Sequence, residues 1–435
     1  MTTALRKKIE DRSARVAIVG IGYVGLPTMI ALANAKFRVT GIDLNEERVR
    51  QINAGQSFIE DVKGSTLDAL VKSGNIDASY NYDILQNIDV IVICVPTPLN
   101  KNKEPDLGAI ESTVANMVPY VLGSPKLIIL QSTTYPGTTE EIILPKLVSL
   151  GLNAGEDFFL AFSPERIDPG NTNYHVDNVP KVVGGVTAEC TELAASFLST
   201  FIDSVVPVSS PSVAEMTKLL ENIFRSVNIA LVNELMVLSQ RMGIDIWEVI
   251  NAAATKPFGY MPFYPGPGVG GHCIPVDPFY LSWKAREHDF YVNFIQTAAQ
   301  INDNMPYYAV TRIADILSDH HKPLKGSRLL LLGMTFKKDI GDVRNSPSVR
   351  VAELLIQRGV ELSYHDNYAV EIMLNGETYS NVNLDDAILK QYDAVILLVD
   401  HSYYDLQSII KNSSLIVDTR NVAGTLGPHP NVFKI

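Results

Sequence analysis

The sequence predicts an α/β chain of two parallel-sheet halves joined by a helical central section with one long helix. Three observations carry this. Short apolar runs alternate with helical patterns near both ends of the chain, and that alternation means parallel strands crossed by helices. A long helical pattern runs unbroken through the middle. The two ends also echo each other: Val16–Gly20 resembles Leu329–Gly333, and Asp89–Val95 resembles Asp393–Val399. This is likeness of fold between halves rather than a short repeat.

Val16–Val19 is the first strand and leads straight into Gly20. A helical pattern follows from near Tyr23 to about Ala35, and a second strand, Arg38–Ile42, ends at Asp43. Asn45 is placed as an N-cap, with Glu46 and Glu47 where the helix dipole favours carboxylates. Val90–Val95 and Leu127–Gln131 are further strands, and this first region is drawn at 1–208. Pro211 opens the long helix, in the first turn where a proline is tolerated. Met216, Leu219, Leu220, Ile223, Phe224 and Val227 then recur at helical spacing up to about Arg241. A helix after Asp245 and another around Tyr291–Leu317 complete a central section, 209–322. Between them, Pro257–Pro278 is too rich in Gly and Pro for a helix or a central strand. In the last region, 323–435, Arg328–Leu332, Glu361–His365, Ala394–Val399 and Leu415–Val417 read as strands and Ser348–Arg358 as a helix.

Composition narrows the function. The chain is 46% hydrophobic and 19% charged, enough to bury a large core. A net charge of −12 argues against nucleic-acid binding, which draws on positive charge, but leaves room for a small anion held locally. No run approaches the roughly 20 apolar residues of a membrane span. Met1–Arg15 has no apolar signal core, and three cysteines are too few for a disulfide framework, so a reduced, cytoplasmic location is expected.

Gly20-Ile-Gly22-Tyr-Val-Gly25 fits G-x-G-x-x-G between a strand and a helix. The first glycine permits the turn, the second admits a pyrophosphate to the backbone, and the third lets helix and strand pack closely. Asp43 stands where a carboxylate bonds the adenosine ribose and repels a 2′-phosphate, which favours NAD over NADP. Both halves are therefore read as Rossmann-like. Arg48 either pairs with Asp43 or reaches the adenosine. The second half has Gly333-Met-Thr-Phe-Lys-Lys instead, one glycine and two cations, suited to a phosphate-bearing ligand other than NAD.

Cys273 follows Gly270-Gly271 and precedes Asp277 by four residues. Glycines there let a ligand press on the backbone and leave the sulfur open, and a cation nearby would favour the nucleophilic thiolate. Lys218 and Asn222, spaced i, i+4, share one helix face and can steady an oxyanion, though Lys218 reads equally as a solvated helix position. A His272–Cys273 dyad is disfavoured because neighbours in an irregular loop point apart. A metal site at His272, Cys273 and Asp277 has no second ligand cluster to complete it. Cys94, in an apolar strand, and Cys190, in a helix, read as structural.

Jointly, the following motifs resemble the UDP-glucose/GDP-mannose dehydrogenase family over nearly the whole chain: Gly20–Gly25, Val95-Pro-Thr-Pro98, Ser132-Thr133, Ser163-Pro-Glu-Arg166, Lys218 with Asn222, Gly270-Gly-His-Cys-Ile-Pro-Val-Asp277 and Phe336-Lys-Lys-Asp-Ile-Gly-Asp-Val-Arg344. The stretch Pro265–Lys284 is most similar to the branch acting on UDP-N-acetylhexosamines, with the gluco epimer expected. The resemblance implies a four-electron oxidation with NAD. The C6 alcohol becomes an aldehyde, Cys273 captures it as a thiohemiacetal, and a second oxidation leaves a thioester that water cleaves to the uronate. It implies that Lys218 and Asn222 steady the oxyanion, that Asp277 manages water or the thiol proton, and that Thr133 and Glu165 orient water near C6. Gly20, Gly22, Tyr23, Val24, Gly25, Asp43, Arg48, Val95, Pro96, Thr97, Ser132 and Thr133 would line the NAD site, and Arg344 would reach it across a subunit interface. Glu165, Arg166, Lys218, Asn222, Tyr264, Gly266, Gly268, Gly270 and Lys337 would hold the UDP-sugar. A homodimer through the central helices is implied, with no metal, nucleic acid or membrane partner. One departure stands out: UDP-glucose members often carry a further glutamate four residues after the one matched by Glu165, and here that position is Pro169, beside Asp168.

A hydroxyacid dehydrogenase also pairs Lys and Asn four apart on a helix, but needs no thiol and takes one NAD per substrate. A non-catalytic NAD sensor has no use for Cys273, Lys218 and Asp277 together.

Overall fold

The computed structural model describes residues 2–59, 62–168 and 173–435; Pro169 lies outside them. The chain forms two compact units, residues 1–221 with 279–290, and residues 222–278 with 291–435.

The first unit is built on eight strands: β1 (Arg15–Val19), β2 (Arg38–Ile42), β3 (Ile76–Ser79), β4 (Val90–Ile93), β5 (Lys126–Leu130), β6 (Phe158–Phe162), β7 (Lys181–Gly185) and β8 (Val205–Val208). Their order is β3-β2-β1-β4-β5-β6-β7-β8. The first six give the 3-2-1-4-5-6 order of a dinucleotide-binding sheet. Both faces are covered, so successive residues bury on opposite sides. Val16 and Ile18 join the core under helices Gly25–Asn34 and Ala188–Leu198, whereas Ala17 and Val19 join the core under helix Gly108–Met117.

This sheet is not parallel throughout. β7 runs antiparallel to β6, and β8 parallel to β7, so the last two strands are reversed. Sequence patterning missed them because β7 opens on a lysine and closes on Gly184-Gly185, which reads as a loop. Both glycines are dictated by crowding: an added Cβ would lie 2.0 Å from Ser210 O at Gly184 and 2.3 Å from Thr191 N at Gly185.

In the second unit β9 (Arg328–Leu332), β10 (Glu361–His365), β13 (Ala394–Leu397), β14 (Ile416–Asp418) and β15 (Val432–Lys434) form a parallel sheet in the order β10-β9-β13-β14-β15, and β11 (Glu371–Leu374) with β12 (Glu377–Ser380) forms a hairpin. Leu329 and Leu331 pack toward helix Pro347–Gln357, and Leu330 and Leu332 toward helix Leu406–Asn412. The central region is helical. It holds the 32-residue helix Pro211–Met242, helix Ile246–Ala254 and the 27-residue helix Asn293–Asp319. Asp245 caps the second of these by accepting from Trp247 N (3.0 Å), and Asn45 caps its own helix by accepting from Arg48 N (3.1 Å). Among the described residues no helix is long and apolar enough to cross a membrane.

Candidate active site

The fingerprint loop of the first unit gives each glycine a separate physical task. Gly20 sits at φ +94°, and a Cβ there would lie 2.6 Å from Cys94 O. One at Gly25 would lie 2.0 Å from Gly20 O, so that glycine is required by packing. At Gly22 nothing lies within 4 Å, leaving the backbone open to a ligand. Asp43, at the end of β2, accepts from Ile21 N (2.9 Å) and Asn45 N (2.9 Å). Arg48 takes the first of its two expected courses, with Nη1 3.5 Å from Asp43 Oδ2. The helix begins at Gly25 rather than near Tyr23; Tyr23 is exposed and Val24 half-buried in the preceding turn.

The neighbouring Val95–Pro98 segment is pinned from two sides. Ser132 Oγ donates to Val95 O (2.7 Å), and the buried Tyr280 OH donates to Thr97 O (2.6 Å). Pro96 lies between these anchors. Thr133, half-buried, follows Ser132 at the C-terminal end of β5. The turn beyond it is held by the buried Glu215, which accepts from Gly137 N (2.6 Å), Thr139 N (3.0 Å) and Thr139 Oγ1 (2.7 Å). Burial pushes the Glu215 carboxyl up to about 7, against these donors. An open glycine turn, a carboxylate at the end of β2 and a fixed loop at the strand ends fit a dinucleotide.

Glu165 follows β6 at the same edge. Its Oε2 accepts from Gln131 Nε2 (2.6 Å) and Lys181 Nζ (2.7 Å), and its Oε1 from the N–H groups of Arg166 (2.8 Å) and Ile167 (3.0 Å). Burial pushes this carboxyl up, but the Lys181 ammonium and the two N–H groups outweigh it and the net shift is down. Glu165 also offers its backbone carbonyl to Lys218 Nζ (2.7 Å). Arg166 pairs with Glu221 (2.7 Å) and donates to Pro180 O (2.6 Å). Cys94 Sγ sits 3.5 Å from Gln131 Oε1, and burial pushes its thiol up, away from reactivity. Cys190 is buried and receives Leu160 N at 3.4 Å.

In the second unit the thiol of Cys273 is half-buried on a turn. Its carbonyl accepts from Val276 N (3.0 Å) and Asp277 N (2.8 Å), so Asp277, the first residue of helix Asp277–Lys284, is folded back over it. Asn222 Nδ2 donates to Asp277 Oδ2 (2.5 Å), and Asn222 Oδ1 accepts from Arg225. Contrary to the expectation for adjacent loop residues, His272 Nδ1 lies 3.7 Å from Cys273 Sγ.

The glycine segment is built against the loop after β9. Gly271 N donates to Arg344 O (3.2 Å), and Asn345 Nδ2 donates to Gly271 O (3.1 Å). A Cβ at Gly270 would meet Phe336 Cβ at 2.6 Å, and one at Gly268 would meet Pro347 Cβ at 2.9 Å. Gly266 N donates to the buried Asn233 (3.0 Å), and a Cβ at Gly266 would strike the Arg420 guanidinium at 2.6 Å. Tyr264 stacks on Trp247 at 5.7 Å and donates to Asn251 Oδ1 (3.1 Å). The Arg344 guanidinium forks onto Asp342 through Nε (2.9 Å) and Nη2 (2.6 Å). Lys337 projects from the same loop, with its backbone carbonyl bonded by Thr335 Oγ1 (3.0 Å).

Gln131, Lys181, Tyr280, Asn233 and Arg420 were not singled out from sequence. Lys181 begins a short strand, where a lysine ordinarily reaches water. Only the reversal of β7 places it beside Glu165.

A dinucleotide-binding sheet and a second sheet whose glycine loop carries cations define an NAD-dependent oxidoreductase with a separate nucleotide-binding unit. Three family models match the chain: the NAD binding domain of the UDP-glucose/GDP-mannose dehydrogenase family at residues 14–202, its central domain at 212–304 and its UDP binding domain at 330–425. The chain belongs to this family and is an NAD-dependent nucleotide-sugar dehydrogenase. It is 36% identical to a UDP-N-acetyl-D-glucosamine 6-dehydrogenase of Pseudomonas aeruginosa, with 90% of this chain and 92% of the relative covered. A UDP-N-acetyl-D-mannosamine dehydrogenase of Methanocaldococcus jannaschii is 33% identical, covering 94% and 92%. A solved UDP-D-ManNAc dehydrogenase structure from Pyrococcus horikoshii superposes with TM-score 0.86 at 29% identity, over 97% of this chain and 98% of that one.

Proposed function

We propose that the chain oxidises the C6 alcohol of UDP-N-acetylglucosamine to the uronate through covalent capture on Cys273. The observation that carries this reading is the half-buried thiol on a glycine turn, with Asp277 folded over its carbonyl and tied to Asn222. NAD, bound along Gly20–Gly25, Asp43 and Val95–Thr97, supplies the hydride acceptor for each of the two oxidations.

The chain's own residues do the rest. Asp277 takes the proton of the thiol or of the hydrolytic water. The sulfur adds to the C6 aldehyde carbon, and the Lys218 ammonium with the Asn222 amide steadies the oxygen that gains charge. After the second oxidation the carbon is a thioester. Water adds, the C–S bond breaks, and the carboxylate leaves with the thiol restored. The covalent bond holds the half-oxidised sugar between steps, which a simple alcohol dehydrogenase does not need. Thr133 and Glu165 order water and the adjacent loop. Arg166, Tyr264, Gly266, Gly268, Gly270 and Lys337 hold the UDP-sugar, and Arg344 serves the NAD site.

The working form is a homodimer in the cytoplasm, formed through the central section 209–322. On helix Pro211–Met242, Met216, Leu220, Phe224, Leu231, Leu235 and Leu238 are exposed at intervals that keep them on one stripe. The substrate is tested by incubating the purified chain with NAD and, separately, UDP-N-acetylglucosamine, UDP-N-acetylmannosamine, UDP-N-acetylgalactosamine and UDP-glucose. The reading predicts the highest kcat/KM with the gluco N-acetyl sugar. Preference for the manno epimer, for which several relatives are named, or for UDP-glucose would replace the substrate and keep the chemistry.

A further inference from the structure

The turn after β9 is organised by a buried pair that the reaction scheme leaves unused. The N–H groups of Met334 and Thr335 both donate to Asp366 Oδ2, at 2.6 and 3.1 Å. Asp366 is fully buried, and His401 Nε2 lies 3.1 Å from the same oxygen. The other ring nitrogen, Nδ1, accepts the N–H of Asp339 (3.0 Å), so the proton on this ring is carried by Nε2. Thr335 Oγ1, 3.3 Å from that Nε2, donates to the carbonyl of Lys337 (3.0 Å). Asp339 is held at φ +56°, and its carboxylate accepts from Ser402 N (2.8 Å) and Ser402 Oγ (2.5 Å). The rings of Tyr368, Tyr403 and Tyr404 enclose the imidazole at 5.1, 5.3 and 5.6 Å.

This turn differs from its counterpart in the first unit. There the glycine loop leaves Gly22 open for a phosphate. Here Asp366 takes two N–H groups after the strand, those of Met334 and Thr335, where in the first unit Asp43 takes one, that of Ile21. The cations of this turn lie further along it, Lys337 and Lys338, and the Lys338 ammonium is 3.7 Å from Asp400 Oδ2.

We infer that Asp366 and His401 are positioning residues that set the backbone of Thr335–Asp339 so that Lys337 and Lys338 grip the diphosphate of the nucleotide-sugar. This rests on the proposed function for the identity of the ligand. His401 touches neither phosphate nor reacting carbon; it acts through Asp339 N and Thr335 Oγ1.

The test is titration calorimetry with UDP, together with steady-state kinetics, on His401→Phe, His401→Asn and Thr335→Val. Phe keeps a ring against the tyrosines but cannot accept the Asp339 N–H. Asn keeps an acceptor. Val removes only the hydroxyl relay, so it reads the same link if the Phe variant does not fold. Expected for His401→Phe is a rise of about tenfold in the Kd for UDP and the KM for the sugar, with kcat and the KM for NAD unchanged. His401→Asn recovers most of the affinity, and Thr335→Val moves the same two constants the same way. Unchanged UDP affinity in both the Phe and Val variants overturns the inference. So does loss of kcat alone in proportion to the folded fraction, with Asn no better than Phe. A wild-type chain that binds no UDP overturns it as well. If the wild type binds UDP, the variants weaken that binding as stated, and no UDP-sugar is oxidised, the proposed function fails while this inference stands.

Discussion

Lys181 brings its charge into a place where a lysine is rarely found, 3% exposed and 2.7 Å from Glu165. Taking an ammonium and a carboxylate out of water costs several kcal/mol each, and only close pairing with further donors offsets it. Here the carboxylate has those donors, so Glu165 is held ionised and its loop is fixed where its carbonyl meets Lys218. Removing the cation alone leaves a buried, unpaired carboxylate, and Lys181→Met should lose about 3–5 kcal/mol of stability. The double variant Lys181→Met with Glu165→Gln should recover most of that by thermal unfolding. The pH sign follows from a folded pKa below the unfolded one: this contribution is present above the ordinary glutamate value and is lost as pH falls through the folded one. Without Lys181 the carboxyl rises, so less of this contribution is left to lose and the acid-side fall in melting temperature should become shallower. An unchanged acid limb in Lys181→Met would show that the pair does not hold Glu165 ionised. None of this was legible in the sequence, because β7 is short, begins on a charge and ends on two glycines.

At the scale of elements, the two glycine loops differ for reasons the sequence half discloses. Gly20, Gly22 and Gly25 were readable by spacing, and the structure assigns them tight turning, openness and packing. Gly333 was readable as a partial echo. The bonds from Met334 N and Thr335 N to Asp366 depend on a residue 33 positions beyond Gly333 and could not be read from local pattern. Gly20→Val should abolish NAD binding, since both its φ of +94° and the 2.6 Å approach of Cys94 O exclude a side chain. Measured by NADH fluorescence titration, a retained affinity would contradict the assignment of this loop. The thiol turn was legible by composition. Its construction against Phe336 and Asn345 was not, because these come from a segment more than sixty residues away.

For the whole molecule, period and alternation located both sheets and the long helix, but not β3, β6 or β15, the reversed edge β7–β8 or the hairpin β11–β12. Strands of four or five residues carry too few side chains for a period of two to stand out. The exposed stripe on the 32-residue helix, about 48 Å long at 1.5 Å per residue, is the surface that the proposed homodimer would use. Leu231→Asp with Leu235→Asp should give a monomer in sedimentation velocity; a dimer that persists would place the interface elsewhere. The proposed chemistry turns on one sulfur holding the half-oxidised sugar covalently between the two oxidations. It is tested most directly by counting NADH formed per UDP-N-acetylglucosamine consumed, with wild type and with Cys273→Ala. The prediction is two equivalents and free uronate for the wild type, and no uronate for the variant. One equivalent from the wild type, or two equivalents with uronate from Cys273→Ala, contradicts covalent capture.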